Sequence, residues 1–125
     1  MKKLLLVLSV AALMLCGCQA QKPTYTQITQ SEASSIMEKQ SGYIILDVRT
    51  QAEYESGHIK NAICVPNESI TDAEIPQLPD KNQLILVYCR SGRRSKEAAQ
   101  KLHDLGYTDV REFGGINEWT GEVVK

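Results

Sequence analysis

The run Leu84-Ile85-Leu86-Val87-Tyr88-Cys89-Arg90-Ser91-Gly92-Arg93-Arg94-Ser95 decides the fold. Its first four residues are continuously apolar, as in a strand buried on both faces. Lys96-Glu97-Ala98-Ala99-Gln100-Lys101-Leu102 follows with helical spacing. That helix puts Ala98, Ala99, Leu102 and Leu105 on one face, and Gly106 stops it. Cys89 therefore falls where a buried strand ends and a helix is about to begin. The short loop between them holds a glycine and three arginines, Arg90, Arg93 and Arg94. Backbone N–H groups at a helix N-terminus lack intrahelical partners, and the helix dipole adds partial positive charge. Such a turn attracts anions, and a thiol set in it should ionise more readily. A free cysteine after an apolar strand is more often a small core residue. Here the arginines and Gly92 favour a nucleophilic thiol in an anion cradle.

Outward from this loop the chain alternates strand and helix. Residues 25–28 suit a short strand. Thr29-Gln30-Ser31-Glu32 has capping-box spacing, so a helix is expected to about Lys39, ended by Ser41-Gly42. Tyr43-Ile44-Ile45-Leu46 reads as a second buried strand, with Asp47-Val48-Arg49 at its C-terminal end. Thr50-Gln51-Ala52-Glu53 is another capping box, opening a short helix that Gly57 stops. Ala62-Ile63-Cys64-Val65 suits a short strand before Pro66. A short helix is expected from Asp72, a strand over residues 109–113, and a short helix around Trp119 after the turn Gly114-Gly115. The pattern implies an α/β fold whose central parallel sheet of about five strands carries helices on both faces. Ligands of such sheets bind beyond the C-terminal strand ends, where Cys89, Asp47 and Arg49 fall.

The chain has 125 residues and a formal net charge of −1, which suits one domain and gives no support for nucleic-acid binding. Lys2-Lys3 and the apolar residues 4–15 form a signal-peptide pattern too short to span a bilayer. Leu15-Cys16-Gly17-Cys18 resembles the lipobox of bacterial lipoproteins. That resemblance implies a signal peptide over residues 1–17, lipid on Cys18, a tether over residues 18–24 and a domain over residues 25–125. The protein is then expected to be exported and held at a bacterial membrane, on its periplasmic or outer-surface side. Four cysteines in an ordinary hydrophobic chain do not demand a disulfide framework. The two histidines, His58 and His103, have no zinc-ligand spacing, so no metal is expected.

An ordered set of motifs resembles the single-domain rhodaneses, the thiosulfate sulfurtransferase family. They are Leu46-Asp47-Val48-Arg49, Glu53-Tyr54, Gly57-His58-Ile59 with Ala62 and Pro66, the loop Tyr88 to Ser95, and Gly114-Gly115 with Trp119. The resemblance implies that Cys89 is the catalytic nucleophile. It also implies that Arg90, Ser91, Gly92, Arg93, Arg94 and Ser95 bind substrate, without a cofactor. A sulfane sulfur would pass from a small anionic donor such as thiosulfate, through a persulfide on Cys89, to a thiol or cyanide acceptor. The enzyme would act as a monomer with ping-pong kinetics.

Two other classes remain in view. Cysteine phosphatases and related arsenate reductases need an arginine six places after the cysteine. Here that place holds Ser95, and Arg94 comes one place early. A non-enzymatic persulfide carrier would keep the same cysteine. Arg49 is a candidate for contact with the donor or for a structural ion pair with Asp47, Glu53 or Glu55. The resemblance implies that His58 is structural and that another strand separates Cys64 from Cys89; Cys64 is read as a core thiol and Trp119 as a core anchor.

Overall fold

The structure is a computed structural model that describes residues 25–125. The segments expected to be a signal peptide and a tether, with Cys18, lie outside the described residues. Seven strands and three α-helices follow in the order β1 Thr26–Gln27, α1 Gln30–Lys39, β2 Ile44–Asp47, α2 Gln51–Ser56, β3 His58–Ile59, β4 Ile63–Cys64, β5 Leu84–Cys89, α3 Arg93–Asp104, β6 Asp109–Gly115 and β7 Val123–Val124. Five strands form one sheet in the order β1-β6-β5-β2-β4, every pairing parallel. β3 and β7 form a separate antiparallel pair.

The apolar run of β5 supplies both layers of the core, as alternating side chains on a strand must. Ile85, Val87 and Cys89 pack with Ala98, Ala99 and Leu102 of α3 on one face. Leu86 and Tyr88 pack with Ala33 and Ile36 of α1 on the other, with Tyr54 of α2 against that cluster. Leaving β2, the chain runs through α2 to β4 on one side. Leaving β5, it runs through α3 to β6 on the other. The direction of winding thus reverses between β2 and β5, and their C-terminal ends flank the crevice this creates.

Two polar links fasten that crevice. Asp47, fully buried at the end of β2, accepts from the Tyr88 hydroxyl at 2.7 Å, from Arg49 Nη2 at 2.7 Å and from the Arg49 backbone N–H at 2.9 Å. The Tyr88 hydroxyl in turn accepts from Ile59 N at 3.0 Å, and Arg49 Nη2 also donates to the Gly57 carbonyl at 2.7 Å. Burial and the bond to Asp47 both push the Tyr88 hydroxyl far above its ordinary pKa, so it remains a donor. The second link crosses the crevice from α2 to α3. Arg94 holds Glu53 through two bonds, at 2.7 and 2.9 Å. The Arg94 guanidinium lowers the Glu53 carboxyl from 4.5 to about 2.

The capping box of α2 forms in full, and at α1 Thr29 Oγ1 accepts from Glu32 N. The helix expected from Asp72 does not form. A 3-10 turn covers Asn67–Ser69 instead, and the chain continues in bends and turns. Pro76 and Pro79 deny backbone donors and bias the preceding residues away from helix. Ile70, Ile75 and Leu78 still reach the core, where the Tyr107 hydroxyl donates to the Leu78 carbonyl at 2.6 Å. Gly114-Gly115 does not turn the chain out of the sheet. β6 continues through Gly115, and the turn near Trp119 is a 3-10 segment over Ile116–Glu118.

Two stability measurements follow. Asp47→Ala strands the Arg49 guanidinium and the Tyr88 hydroxyl inside the fold, so urea unfolding should show a loss of about 3–5 kcal/mol. An unchanged midpoint would mean both groups find other partners. The folded Glu53 carboxyl releases its proton more readily than the unfolded one. Its contribution is therefore full above about pH 4.5 and disappears as pH falls toward 2. The part-exposed pair is screened, so the expected effect is on the order of 1 kcal/mol. Acid titration of Glu53→Gln should lack this component, and an acid limb identical to wild type would refute it.

Candidate active site

Cys89 is the last residue of β5 and is 1 % exposed. Two features of the loop turn its sulfur toward backbone donors. Gly92 takes a φ of 110°, a region that favours glycine, and serves as N-cap of α3. Its N–H donates to Cys89 Sγ at 3.0 Å. Ser95, one turn into α3, brings its hydroxyl to 3.4 Å from the same sulfur while donating to the Gly92 carbonyl at 2.9 Å. No side chain caps α3, so its first-turn N–H groups face the loop without a competing carboxylate. Amide donors and a helix N-terminus around sulfur favour an anionic nucleophile or leaving group there.

The neighbouring strand shapes this loop from behind. Cys89 pairs with Gly115 after a register shift between Val87 and Cys89. A side chain at Gly115 would collide with the Arg90 carbonyl, so only glycine permits this approach. The same carbonyl accepts from Asn117 N at 3.2 Å. Gln30 at the start of α1 ties down the far side of β6, its Nε2 donating to the carbonyls of Phe113 at 2.7 Å and Gly115 at 3.1 Å. The cradle is therefore built largely from main chain and held by three elements.

The loop side chains divide into two groups. Gly92 and Ser95 are buried beside the sulfur. Arg90, Ser91 and Arg93 are exposed at the rim. Arg93 lies 3.7 Å from Glu97 with its side chain 81 % exposed, a weak solvated pair. Arg94 is half-buried in its clasp with Glu53. Arg49 is committed to Asp47 and the Gly57 carbonyl.

Other sequence candidates lie apart. His58 stacks on Tyr54 at 3.7 Å between ring centroids, with Nδ1 2.9 Å from the Tyr54 carbonyl, which is a packing role. Cys64 sits on β4, with β2 between it and β5. Burial, aided by the Asp47 charge, pushes its thiol up to about 11, so it remains protonated near neutral pH. His103 is exposed on α3, and Trp119 packs half-buried against Phe113 at 5.7 Å. Among the described residues no group of three or more His, Cys, Asp and Glu is arranged to hold a metal.

Sequence reasoning did not single out Glu112, which is 3 % exposed and accepts from Gly114 N at 3.1 and 3.2 Å. Its place between Val110 and Phe113, in a strand that also carries Asp109 and Arg111, gave no signal of burial. Nor did it pair Arg94 with Glu53, 41 residues apart, although both residues were in view.

Comparison with known proteins agrees with this geometry. The chain is 36% identical over 80 residues to "Thiosulfate sulfurtransferase PspE" of Escherichia coli, covering 64% of this chain and 77% of the relative. It is 35% identical over 96 residues to "Thiosulfate sulfurtransferase GlpE" of Coxiella burnetii, covering 76% of this chain and 87% of the relative. A solved structure described as "rhodanese with anions from E. coli" matches with a TM-score of 0.60 and 34% identity, over 66% of this chain and 98% of the other. The Rhodanese-like domain family matches residues 29–122, and with the sheet order and strand-end cysteine already described, the chain belongs to that family.

Proposed function

We propose that this chain is a rhodanese-type thiosulfate sulfurtransferase that works through a persulfide on Cys89. The observation that carries the reading is the sulfur in its loop. Gly92 N–H donates to it at 3.0 Å, and Ser95 stands beside it at the sixth position, where a phosphatase would need arginine. Space closed by a buried serine suits one sulfur atom better than a tetrahedral phosphoryl group. The names of the two relatives and the description of the similar structure as holding anions support the same reading.

The chemistry follows from these positions. The Cys89 thiolate attacks the outer sulfur of thiosulfate. A new S–S bond forms, the donor's S–S bond breaks, and sulfite leaves with the bonding electron pair. The terminal sulfur of the persulfide carries the negative charge, and the loop amides stabilise it. Cyanide or an acceptor thiolate then attacks that sulfur, and Cys89 leaves as thiolate. Arg90 and Arg93 at the rim attract the anionic donor, and Arg94 adds positive charge while its clasp with Glu53 limits its motion. Ser91, exposed beside them, contributes a hydroxyl to the same rim. Arg49 contributes by anchoring Asp47 beneath the crevice.

We further propose that the protein is exported as a lipid-anchored monomer. Lys2-Lys3, the apolar run over residues 4–15 and Gly17-Cys18 support the export and the anchor. Among the described residues no helix is long and apolar enough to cross a membrane.

Thiosulfate and cyanide should give thiocyanate with the wild type and none above background with Cys89→Ser, while a phosphomonoester should not be hydrolysed. Mass spectrometry after thiosulfate alone should find one added sulfur on Cys89. Phosphatase turnover without sulfur transfer would reject the reading. Cell fractionation tests the anchor. Full-length protein should sediment with membranes, and Cys18→Ser should move to the soluble fraction. Identical distribution of the two would reject lipidation at Cys18.

A further inference from the structure

Two buried side-chain polar atoms among the described residues lack a hydrogen-bond partner, and the sulfur-transfer steps use neither. They are Gln30 Oε1 and Trp119 Nε1. Gln30 Nε2 donates to the carbonyls of Phe113 and Gly115. Turned over, the amide would set its oxygen against those two carbonyls, so Oε1 is the atom left over. Gly121 lies against the indole edge that carries Nε1, and a side chain there would collide with that nitrogen. The cover over Nε1 thus includes backbone outside any helix or strand. A buried polar atom without a partner is costly, and a ligand that supplies the partner recovers the cost. One acceptor and one donor left over together match the N–H and C=O of a polypeptide main chain.

Both residues line one cleft of about 630 Å³ between α1 and residues 118–121. It shares Gln30, Ser31 and Glu118 with a cleft of about 510 Å³ whose wall includes Ser91 and Gly92 of the cysteine loop. Charge changes sign along the pair. Lys96 stands with the loop residues, Glu118 is common to both clefts, and Glu38 lines the part away from the loop. The two glutamates are exposed, and among the described residues neither forms an ion pair. From Gln30 to Glu38 α1 rises about 12 Å, the reach of about four extended residues.

We propose that these joined clefts seat an extended polypeptide segment whose cysteine is the sulfur acceptor, with a basic residue about four places from it. The cysteine lies at Ser91 and Gly92, where the Lys96 ammonium favours its thiolate. The basic side chain lies over Glu38 and Glu118. Between them a main-chain N–H donates to Gln30 Oε1, and a main-chain carbonyl accepts from Trp119 Nε1 as residues 120–121 move aside. The acceptor thiolate attacks the outer sulfur of the Cys89 persulfide. A new S–S bond forms, the bond to Cys89 breaks, and its electron pair stays on Cys89.

The inference rests on sulfur transfer for the acceptor's chemistry, but binding is tested without turnover. Trp119 is the only tryptophan of the chain, so its emission reports on the cleft. The probe is a blocked glycine-serine peptide with a lysine near one end and serine standing in for the cysteine near the other. Titrated into the full chain at low salt, it should shift the emission and saturate. Glutamate in place of the lysine should weaken binding roughly threefold or more. Glu38→Gln with Glu118→Gln, both at exposed positions, should abolish that preference. With the cysteine restored, Trp119→Phe should raise KM for the peptide roughly two- to tenfold and leave KM for cyanide unchanged. If that variant fails to fold, the emission and charge measurements carry the test. An unmoved emission, or equal affinity for the lysine and glutamate peptides, overturns the proposal. Glutathione binding as tightly as the lysine peptide overturns it too, and assigns the cleft to small thiols. Saturable, lysine-dependent binding without thiocyanate formation keeps the cleft and removes sulfur transfer. Thiocyanate formation without peptide binding does the reverse.

Discussion

The buried carboxylate of Asp47 is the constraint from which the rest of the site is assembled. A charge removed from water must be met on nearly every lone pair. Arg49, its own backbone N–H and the Tyr88 hydroxyl meet it. Arg49 lies just past the end of β2 and Tyr88 on the adjacent β5, and Tyr88 passes the constraint on to Ile59. The C-terminal ends of β2 and β5 are therefore fixed relative to each other by directional bonds as well as by packing. Cys89 is the residue after Tyr88, so a bond on one face of the sheet settles where the sulfur stands on the other.

A second constraint is steric. β6 can approach the loop only because Gly115 has no side chain to meet the Arg90 carbonyl, and the loop can close on the sulfur only because Gly92 tolerates a positive φ. Neither glycine touches a donor through its own side chain. Together they let main chain come within hydrogen-bonding reach of an anion, at the cost of backbone freedom in the unfolded chain. The clasp between Glu53 and Arg94 adds a brace across the same crevice from the outside.

What could be read from the sequence was what neighbouring residues decide. The α2 capping box lies within four residues, and the apolar run before Cys89 announces both a strand and its burial. The crossing from strand to glycine to helix needs no distant partner to be recognised. Features set by distant residues were hidden. β6 extends through Gly115 because Cys89, 26 residues earlier, offers it a partner. The two-residue strands His58–Ile59 and Val123–Val124 are too short to show any period, and only their meeting defines them. The segment after Pro66 was misread because its apolar residues reach the core without a helix, pinned by Tyr107. Glu112 escaped notice because its burial comes from the packing of β6 against α3, which no local pattern announces.

The exposure of Arg90, Ser91 and Arg93 contrasts with the burial of Gly92 and Ser95. In the function proposed above, holding the sulfur and recruiting its supplier fall to separate positions in one short loop. The outer positions are free to drift toward other charges or sizes without disturbing the backbone that grips the atom. Such a division lets a lineage exchange one sulfur source for another by single surface changes, with the reactive chemistry inherited intact.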